Sequence, residues 1–195
     1  MEIKRRMINA TKKLLQTNVK VSIKDITDAS FVNIAAVNYH FGSKEALIEI
    51  VLTEVIEDLK NYLTNEVFNN RSTNSSQENL EFVMNYLYNF AIEHMGLIQY
   101  LFLSDELQQE ASSLLIRQFF QDNPFTSLVY ESIASRSNST NIDEIKAKYI
   151  LLFSSFCIPL FLQVSQLRSE SKEYMNLFTQ ESFRQEFMKQ IMKIF

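Results

Sequence analysis

The stretch Ser22-Ile23-Lys24-Asp25-Ile26-Thr27-Asp28-Ala29-Ser30-Phe31-Val32-Asn33-Ile34-Ala35-Ala36-Val37-Asn38-Tyr39-His40-Phe41-Gly42-Ser43-Lys44-Glu45 contains two short helices with their starts and stops. Ser22 followed three residues later by Asp25 is a capping box, in which each side chain serves the other's backbone N–H. A short helix to about Ala29 is expected, burying Ile23, Ile26 and Ala29. Ser30, Phe31 and Val32 make a turn. Asn33 can cap a second helix, Ile34 to His40, which Phe41 closes and Gly42 leaves through the left-handed region. Ser43 then caps a further helix, and Glu45 suits the positive end of its dipole.

Working outward, an amphipathic helix precedes this stretch, from about Ile3 to Gln16. Ile3, Met7, Ala10, Leu14 and Leu15 form its apolar stripe, and Asn18 is expected as a left-handed stop. The helix begun at Lys44 keeps helical apolar spacing to Val67, and residues 69–75 form a polar linker. Ser75 with Glu78 caps the next helix, which Gly96 is expected to end. Helices follow over about 97–103, 105–120 (Asp105 and Gln108 as cap partners), 124–136 with Pro124 in the first turn, 141–167, and 179–194. Asn141 and Glu144 open the fourth of these, and Pro159 should kink it. The fold class expected is all-α. An N-terminal three-helix domain with a helix-turn-helix is expected over 1–46, and a second helical domain over 47–195.

Composition agrees. Two glycines and two prolines in 195 residues leave few breakers. Hairpins, dinucleotide loops and P-loops need glycine at positive φ or close to phosphate, so those folds are nearly excluded. The single cysteine, Cys157, excludes a disulfide framework and a cysteine-based zinc site, and reads as a core residue. The N-terminus shows no apolar signal core, and the most apolar run, Tyr149 to Val164, is shorter than the roughly 18–20 residues of a membrane span. A cytoplasmic protein without membrane partners is expected. The net charge of −4 hides an asymmetry. Residues 1–45 hold eight basic and four acidic groups, net +4, and the other 150 hold 11 basic and 19 acidic, net −8.

Helix, short helix, tight turn and short helix on a basic module make helix-turn-helix architecture. Such a motif buries one face of its last helix and lays the other in the DNA major groove. Val32, Val37 and Phe41 supply the buried face, leaving Asn33, Ile34, Ala35, Ala36, Asn38, Tyr39 and His40 outward. Small Ala35 and Ala36 permit close approach, and their methyls can meet thymine methyls. Asn38 can offer its amide to an adenine edge. Tyr39, His40 and Lys44 are placed for phosphates, and Ser22 and Lys24 belong to the same surface.

The run from Ser22 to Ile26, then Val32 to Leu47 with its Tyr39-His40-Phe41-Gly42-Ser43-Lys44-Glu45 ending, resembles the DNA-binding domain of TetR-type repressors over about residues 3–52. The resemblance implies a homodimer through the last two helices, a small-molecule inducer bound in the helical body, and repression of operator DNA released by that ligand. Two positions depart from the family pattern: Phe31 stands where Gly is usual, and Thr27 where Ala is usual. A phenylalanine does not easily take positive φ, so a distorted turn or slightly reoriented helices are expected, with an altered docking angle.

The remaining candidates come from composition and periodicity. Sixteen Phe and eight Tyr favour an apolar cavity for an apolar or aromatic inducer, with Phe82, Tyr86, Phe90, Tyr100, Phe119, Phe120, Tyr130, Tyr149 and Phe153 as lining candidates. Each also reads as plain core. Two apolar C-terminal helices from each subunit would make a four-helix dimer interface, with Phe156, Leu160, Phe161, Val164, Phe183, Phe187 and Ile191 as candidates. No catalytic arrangement, metal-ligand set or cofactor loop is legible, and only His40 and His94 could act as histidine bases. A helical protein–protein adaptor with a vestigial DNA-binding module is the alternative, supported by the acidic total and Phe31.

Overall fold

The computed structural model describes residues 2–18, 20–70, 73–103, 108–167 and 180–194. Ten α-helices occur among them and no strand: α1 (Glu2–Thr17), α2 (Ile23–Ser30), α3 (Ala35–Phe41), α4 (Lys44–Asn65), α5 (Ser76–Glu93), α6 (Met95–Leu103), α7 (Gln108–Phe119), α8 (Pro124–Ser137), α9 (Ile142–Leu167) and α10 (Glu181–Met192). A π-helical turn, Glu66–Asn70, ends α4. The proposed cap Asp105 and the proposed start at Thr179 lie outside the described residues.

The chain divides into two compact units, residues 1–59 with 93–118, and 60–92 with 119–195. These follow packing. In the first unit α1 packs on α2 and on α6. Its core is built from Met7, Leu15, Val21, Ile26, Val37, Leu47, Leu52, Ile56 and Leu97. Three ion pairs tie α1 to α4: Arg5 to Glu54 at 2.9 Å, Lys12 to Glu54 at 2.9 Å and Lys12 to Asp58 at 3.2 Å.

Two of the expected breakers do other work. Asn18 is not left-handed, since Phe31 and Asn138 are the non-glycine residues with positive φ among those described. Asn18 instead continues the α1 ladder, donating its N–H to the Leu14 carbonyl at 2.8 Å. Gly96 does not end a helix. It lies in the first turn of α6, where a Cβ would stand 2.3 Å from the Asn18 carbonyl oxygen. Close backbone approach, not turn geometry, requires glycine there.

In the second unit the capping boxes and caps form as read. Ser75 N–H donates to Glu78 Oε2 at 2.8 Å, and Asn123 Oδ1 accepts from Thr126 N–H at 3.1 Å before Pro124 opens α8. Asn141 Oδ1 accepts from the Asp143 N–H at 3.0 Å and opens α9. α9 packs on α8, and the α9 helix runs on through Pro159. Ile145, Tyr149, Leu152 and Leu160 are buried, while Ile150, Leu151, Ile158, Phe161 and Leu162 are exposed. The apolar segment of α9 is longer than the sequence reading allowed. Ile142–Leu162 is long and apolar enough, by length and composition, to cross a membrane. Helical continuity through Ser154 and Ser155 extends it: each hydroxyl bonds a carbonyl three or four residues back.

Candidate nucleic-acid interface

The candidate interface begins at the cap of α2. Ser22 Oγ accepts from the Asp25 N–H at 3.2 Å and donates to Asp25 Oδ2 at 2.7 Å, while the Ser22 N–H donates to the same carboxylate at 2.8 Å. These bonds hold the Asp25 carboxyl below its ordinary range. α2 buries Ile26, Thr27 and Ser30 rather than the expected Ile23 and Ala29. The hydroxyls make the shift possible. Thr27 and Ser30 return theirs to the Lys24 and Ile26 carbonyls, at 3.1 and 2.6 Å, and so are buried without unmet bonds.

Phe31 corrects an expectation. The turn is not distorted, because Phe31 adopts φ 53, ψ 49, the left-handed conformation that glycine would take. Its N–H donates to the Asp28 carbonyl at 3.3 Å and the Val32 N–H to that of Thr27 at 3.1 Å, closing the end of α2. The Arg6 guanidinium reaches over from α1 to the Ser30 carbonyl at 2.5 Å and that of Phe31 at 3.3 Å. Lys4 Nζ lies 5.8 Å from the centre of the Phe41 ring. Neither Arg6 nor Lys4 is marked by the motif, because both act across helices.

Beyond the turn, Asn33 Oδ1 accepts the Ala35 N–H at 3.0 Å, fixing the start of α3. Val37 is fully buried, with Val32 and Phe41 half-buried beside it in sequence. Asn33, Ile34, Ala35, Asn38 and Tyr39 are exposed, and Ala36 and His40 half-exposed. Tyr39 is 84% exposed and meets His40 edge-on at 4.8 Å. Gly42 leaves α3 at φ 82, and Ser43 Oγ accepts the Ala46 N–H at 3.0 Å to start α4. Ser22 and Lys24 are exposed, while Lys44 is largely covered, its Nζ 3.7 Å from Glu45 Oε1. The surface left outward is therefore small side chains, an amide and an aromatic. That is a face able to enter a groove, with basic groups around it.

The inducer candidates fall into separate groups of ring contacts among the described residues. Phe119, Phe120, Phe125, Tyr130, Tyr149 and Phe153 form a ring cluster in the second unit, with centroids 4.7–6.2 Å apart. The Tyr149 hydroxyl donates to the Phe119 carbonyl, and burial raises the Tyr149 and Tyr130 phenols. Phe82 and Tyr86 meet each other, and Tyr86 meets Tyr62 at 4.7 Å. Phe90, on α5, is half-exposed. Tyr100 is in the first unit, where its hydroxyl accepts the Val21 N–H at 3.1 Å and donates to the Val21 carbonyl at 3.3 Å.

The second unit also holds an open cavity of about 410 Å³ with different walls. α5 contributes Gln77, Glu81 and Asn85; α8 contributes Arg136; and α10 with its end contributes Gln185, Met188, Lys189, Met192 and Lys193. Sequence reading missed it, since its polar residues are spread over three helices with no motif.

The interface candidates divide similarly. Phe161 is exposed, Phe183 and Phe187 are half-exposed and stacked at 6.0 Å, and Leu160 and Ile191 are buried in the chain's own core. Phe156 meets Tyr88 at 6.4 Å. The Val164 side chain lies outside the described residues. Cys157 is half-buried, and burial pushes its thiol up to about 12, so it is not a reactive thiolate.

The described residues are helical throughout their regular elements, with a helix-turn-helix at their head. The chain shares its fold with FadR of Bacillus subtilis, a transcriptional regulator solved in complex with stearoyl-CoA. The TM-score is 0.64 at 10% identity, over 96% of this chain and 97% of that one. It also shares it with a TetR-family transcriptional regulator from Mesorhizobium loti, at TM-score 0.63 and 11% identity, over 99% and 96%. No family model and no curated protein matches the chain. The fold, an N-terminal helix-turn-helix with a helical body, is that of these two solved regulators.

Proposed function

We propose that this protein is a non-enzymatic, cytoplasmic DNA-binding regulator. In this reading it acts as a homodimeric repressor and leaves its operator when a small molecule binds the helical body. The observation that carries the reading is α3. With the two residues before it, it presents Asn33, Ile34, Ala35 and Asn38 to solvent, on a module of net charge +4. Ala35 and Ala36 would lie against base edges, Asn38 would read an adenine, and Tyr39, His40, Lys24 and Lys44 would take phosphates. Ser22 would serve the interface through its cap, which holds the N-terminus of α2.

Dimerisation gives selectivity that one small module lacks, because two modules about 34–36 Å apart read successive major grooves. A ligand acts only by binding one module spacing better than the other. α4 belongs to both compact units, with Leu59 in the first and Lys60 in the second, and is the element through which such a change would pass. The aromatic residues of the second unit favour an apolar or aromatic ligand. A gel-shift series with DNA flanking the protein's own gene tests the reading. Sequence-selective shifts at moderate salt are expected. Absence of any selective shift at low salt would favour the adaptor alternative.

A further inference from the structure

The cavity between α5, α8 and α10 has the chemistry of an anion site. Its walls are tied to one another pairwise. Ser76 Oγ donates to Ser135 Oγ at 2.8 Å, joining α5 to α8. Arg184 Nη1 donates to Asn89 Oδ1 at 2.9 Å, joining α10 to α5. Arg136 Nη2 donates to the Met192 carbonyl, joining α8 to α10. Three polar ties thus hold the three walls to one another.

Three cations, Arg136, Lys189 and Lys193, line it against one carboxylate, Glu81. That balance contrasts with the −8 carried by residues 46–195 as a whole. Glu81 is already engaged, accepting from Gln77 Nε2 at 2.9 Å. Lys189 lies 3.5 Å from Glu186 at the surface, where both groups are well solvated and the pairing is weak. Arg136 differs from the two lysines. Its Nε is buried and has no hydrogen-bond partner among the described residues. A buried guanidinium N–H without an acceptor is costly, and Arg136 as a residue lines the cavity.

We propose that this cavity binds a small organic oxyanion, a carboxylate or phosphate ester with a hydrogen-bonding body. The oxyanion pairs with Arg136 and draws on Lys189 and Lys193. The amide nitrogens of Gln77, Asn85 and Gln185 each already donate once, to Glu81 and Glu181; their second amide hydrogens and their oxygens serve the body, and the Met188 and Met192 side chains pack against its carbon skeleton. At about 410 Å³ the space exceeds one inorganic ion, which argues for the organic body. No ring of the aromatic cluster lines it, so it is a site separate from that cluster. Binding stands independently of DNA; only its role as an effector site rests on the regulator reading above.

Calorimetric titration of the full chain without DNA tests the proposal, with glycerol 3-phosphate, citrate, inorganic phosphate and neutral glycerol as probes. Saturable binding of glycerol 3-phosphate or citrate is expected. The tighter of the two identifies the head group, with inorganic phosphate at least about tenfold weaker and glycerol silent. Arg136→Gln should abolish binding but also cuts the α8–α10 tie. Lys189→Glu and Asn85→Asp leave all three ties intact, and each should weaken binding at least about fivefold with unchanged helicity by circular dichroism. Failure of both organic anions to bind, or binding in both of these variants as tight as in wild type, overturns the proposal. Since no DNA is present, neither outcome depends on the gel-shift result.

Discussion

Gly96 and Leu15 meet backbone to backbone. A Cβ on Gly96 would stand 2.5 Å from the Leu15 carbonyl oxygen, and nearer still to that of Asn18. Four residues on, the Tyr100 hydroxyl holds both backbone polar groups of Val21. α6 is thereby attached at two points to the segment joining α1 to α2. The first attachment requires no side chain, and the second requires one specific hydroxyl.

Gly96→Ala should therefore destabilise the chain by about 1–3 kcal/mol, because the obstructing atoms are carbonyl groups that cannot swing aside. Gly42→Ala makes the control. Nothing lies within 4 Å of a Cβ there, but φ is +82. Its cost is conformational alone, about 1–2 kcal/mol. Urea unfolding separates them. Gly96→Ala should also shift resonances of α1 and α6 together, whereas Gly42→Ala should perturb only the α3–α4 turn. A neutral Gly96→Ala would mean that α6 does not seat on α1 this closely.

Phe31 is left-handed and 86% exposed, so it holds a strained conformation with little packing to offset it. The same chain uses asparagine for the same task at the end of α8, where Asn138 sits at φ 48. Phe31→Asn should raise stability by about 0.5–1 kcal/mol, since asparagine tolerates this region and does not loosen the unfolded chain as glycine would. The midpoint of urea unfolding checks it. A lowered midpoint would show that the ring packs against something in solution.

The Cys157 thiol makes a pH prediction. Burial raises its native pKa to about 12, against about 8.5 in an unfolded chain. The neutral thiol is thus favoured by folding. That stability is fully present below about pH 8.5 and is lost as pH rises toward 12. At pH 8 the native protein should react slowly with iodoacetamide and the urea-unfolded protein quickly. Between pH 8.5 and 10 wild type should lose more stability than Cys157→Ala. Equal slopes for the two proteins would show the thiol to be solvated.

Much of this fold was legible because local chemistry and tertiary structure agree. The caps at Ser22, Ser43, Ser75 and Asn123 form as their spacing predicts, since a cap is decided within four residues. What was not legible lies across helices. Gly96 read as a stop, because sequence cannot show that another helix's carbonyls pass over it. Phe31 read as incompatible with the turn, although Arg6, 25 residues away, holds the turn's two carbonyls. In α9, apolar on nearly every side, periodicity could not say which face turns inward. Leu160 and Ile191, taken as interface residues, are core. The exposed face of α3 followed from the motif, but the polar cavity had no local signature at all.

The proposed DNA contacts separate by salt and sequence. Asn38→Ala should relax preference at one base position by about 1–3 kcal/mol and leave the salt dependence unchanged. Lys44→Ala should weaken binding to every sequence and flatten the salt slope by about one unit, if Lys44 leaves Glu45 to neutralise one phosphate. An unchanged slope would keep Lys44 in its role beside Glu45. Uniform loss from Asn38→Ala would move that amide to the backbone contacts.

The face of α9 decides the proposed dimer. Ile150, Leu151, Ile158, Phe161 and Leu162 fall within about 120° of one another around the helix, at 3.6 residues per turn. All five are exposed, while Tyr149, Leu152 and Leu160 turn to the opposite, buried side. An apolar stripe of this width on one chain is what a second copy would cover, and two-fold symmetry would set it against itself. Ile158→Lys should then give a monomer by sedimentation with unchanged helicity, and should greatly weaken operator binding by uncoupling the two modules. Leu160→Lys, two residues away, should instead unfold the second unit, because it buries a charge among apolar neighbours. If both variants unfold, the outward side of α9 is part of the chain's own core. If Ile158→Lys remains dimeric, the partner chain is held by other surfaces.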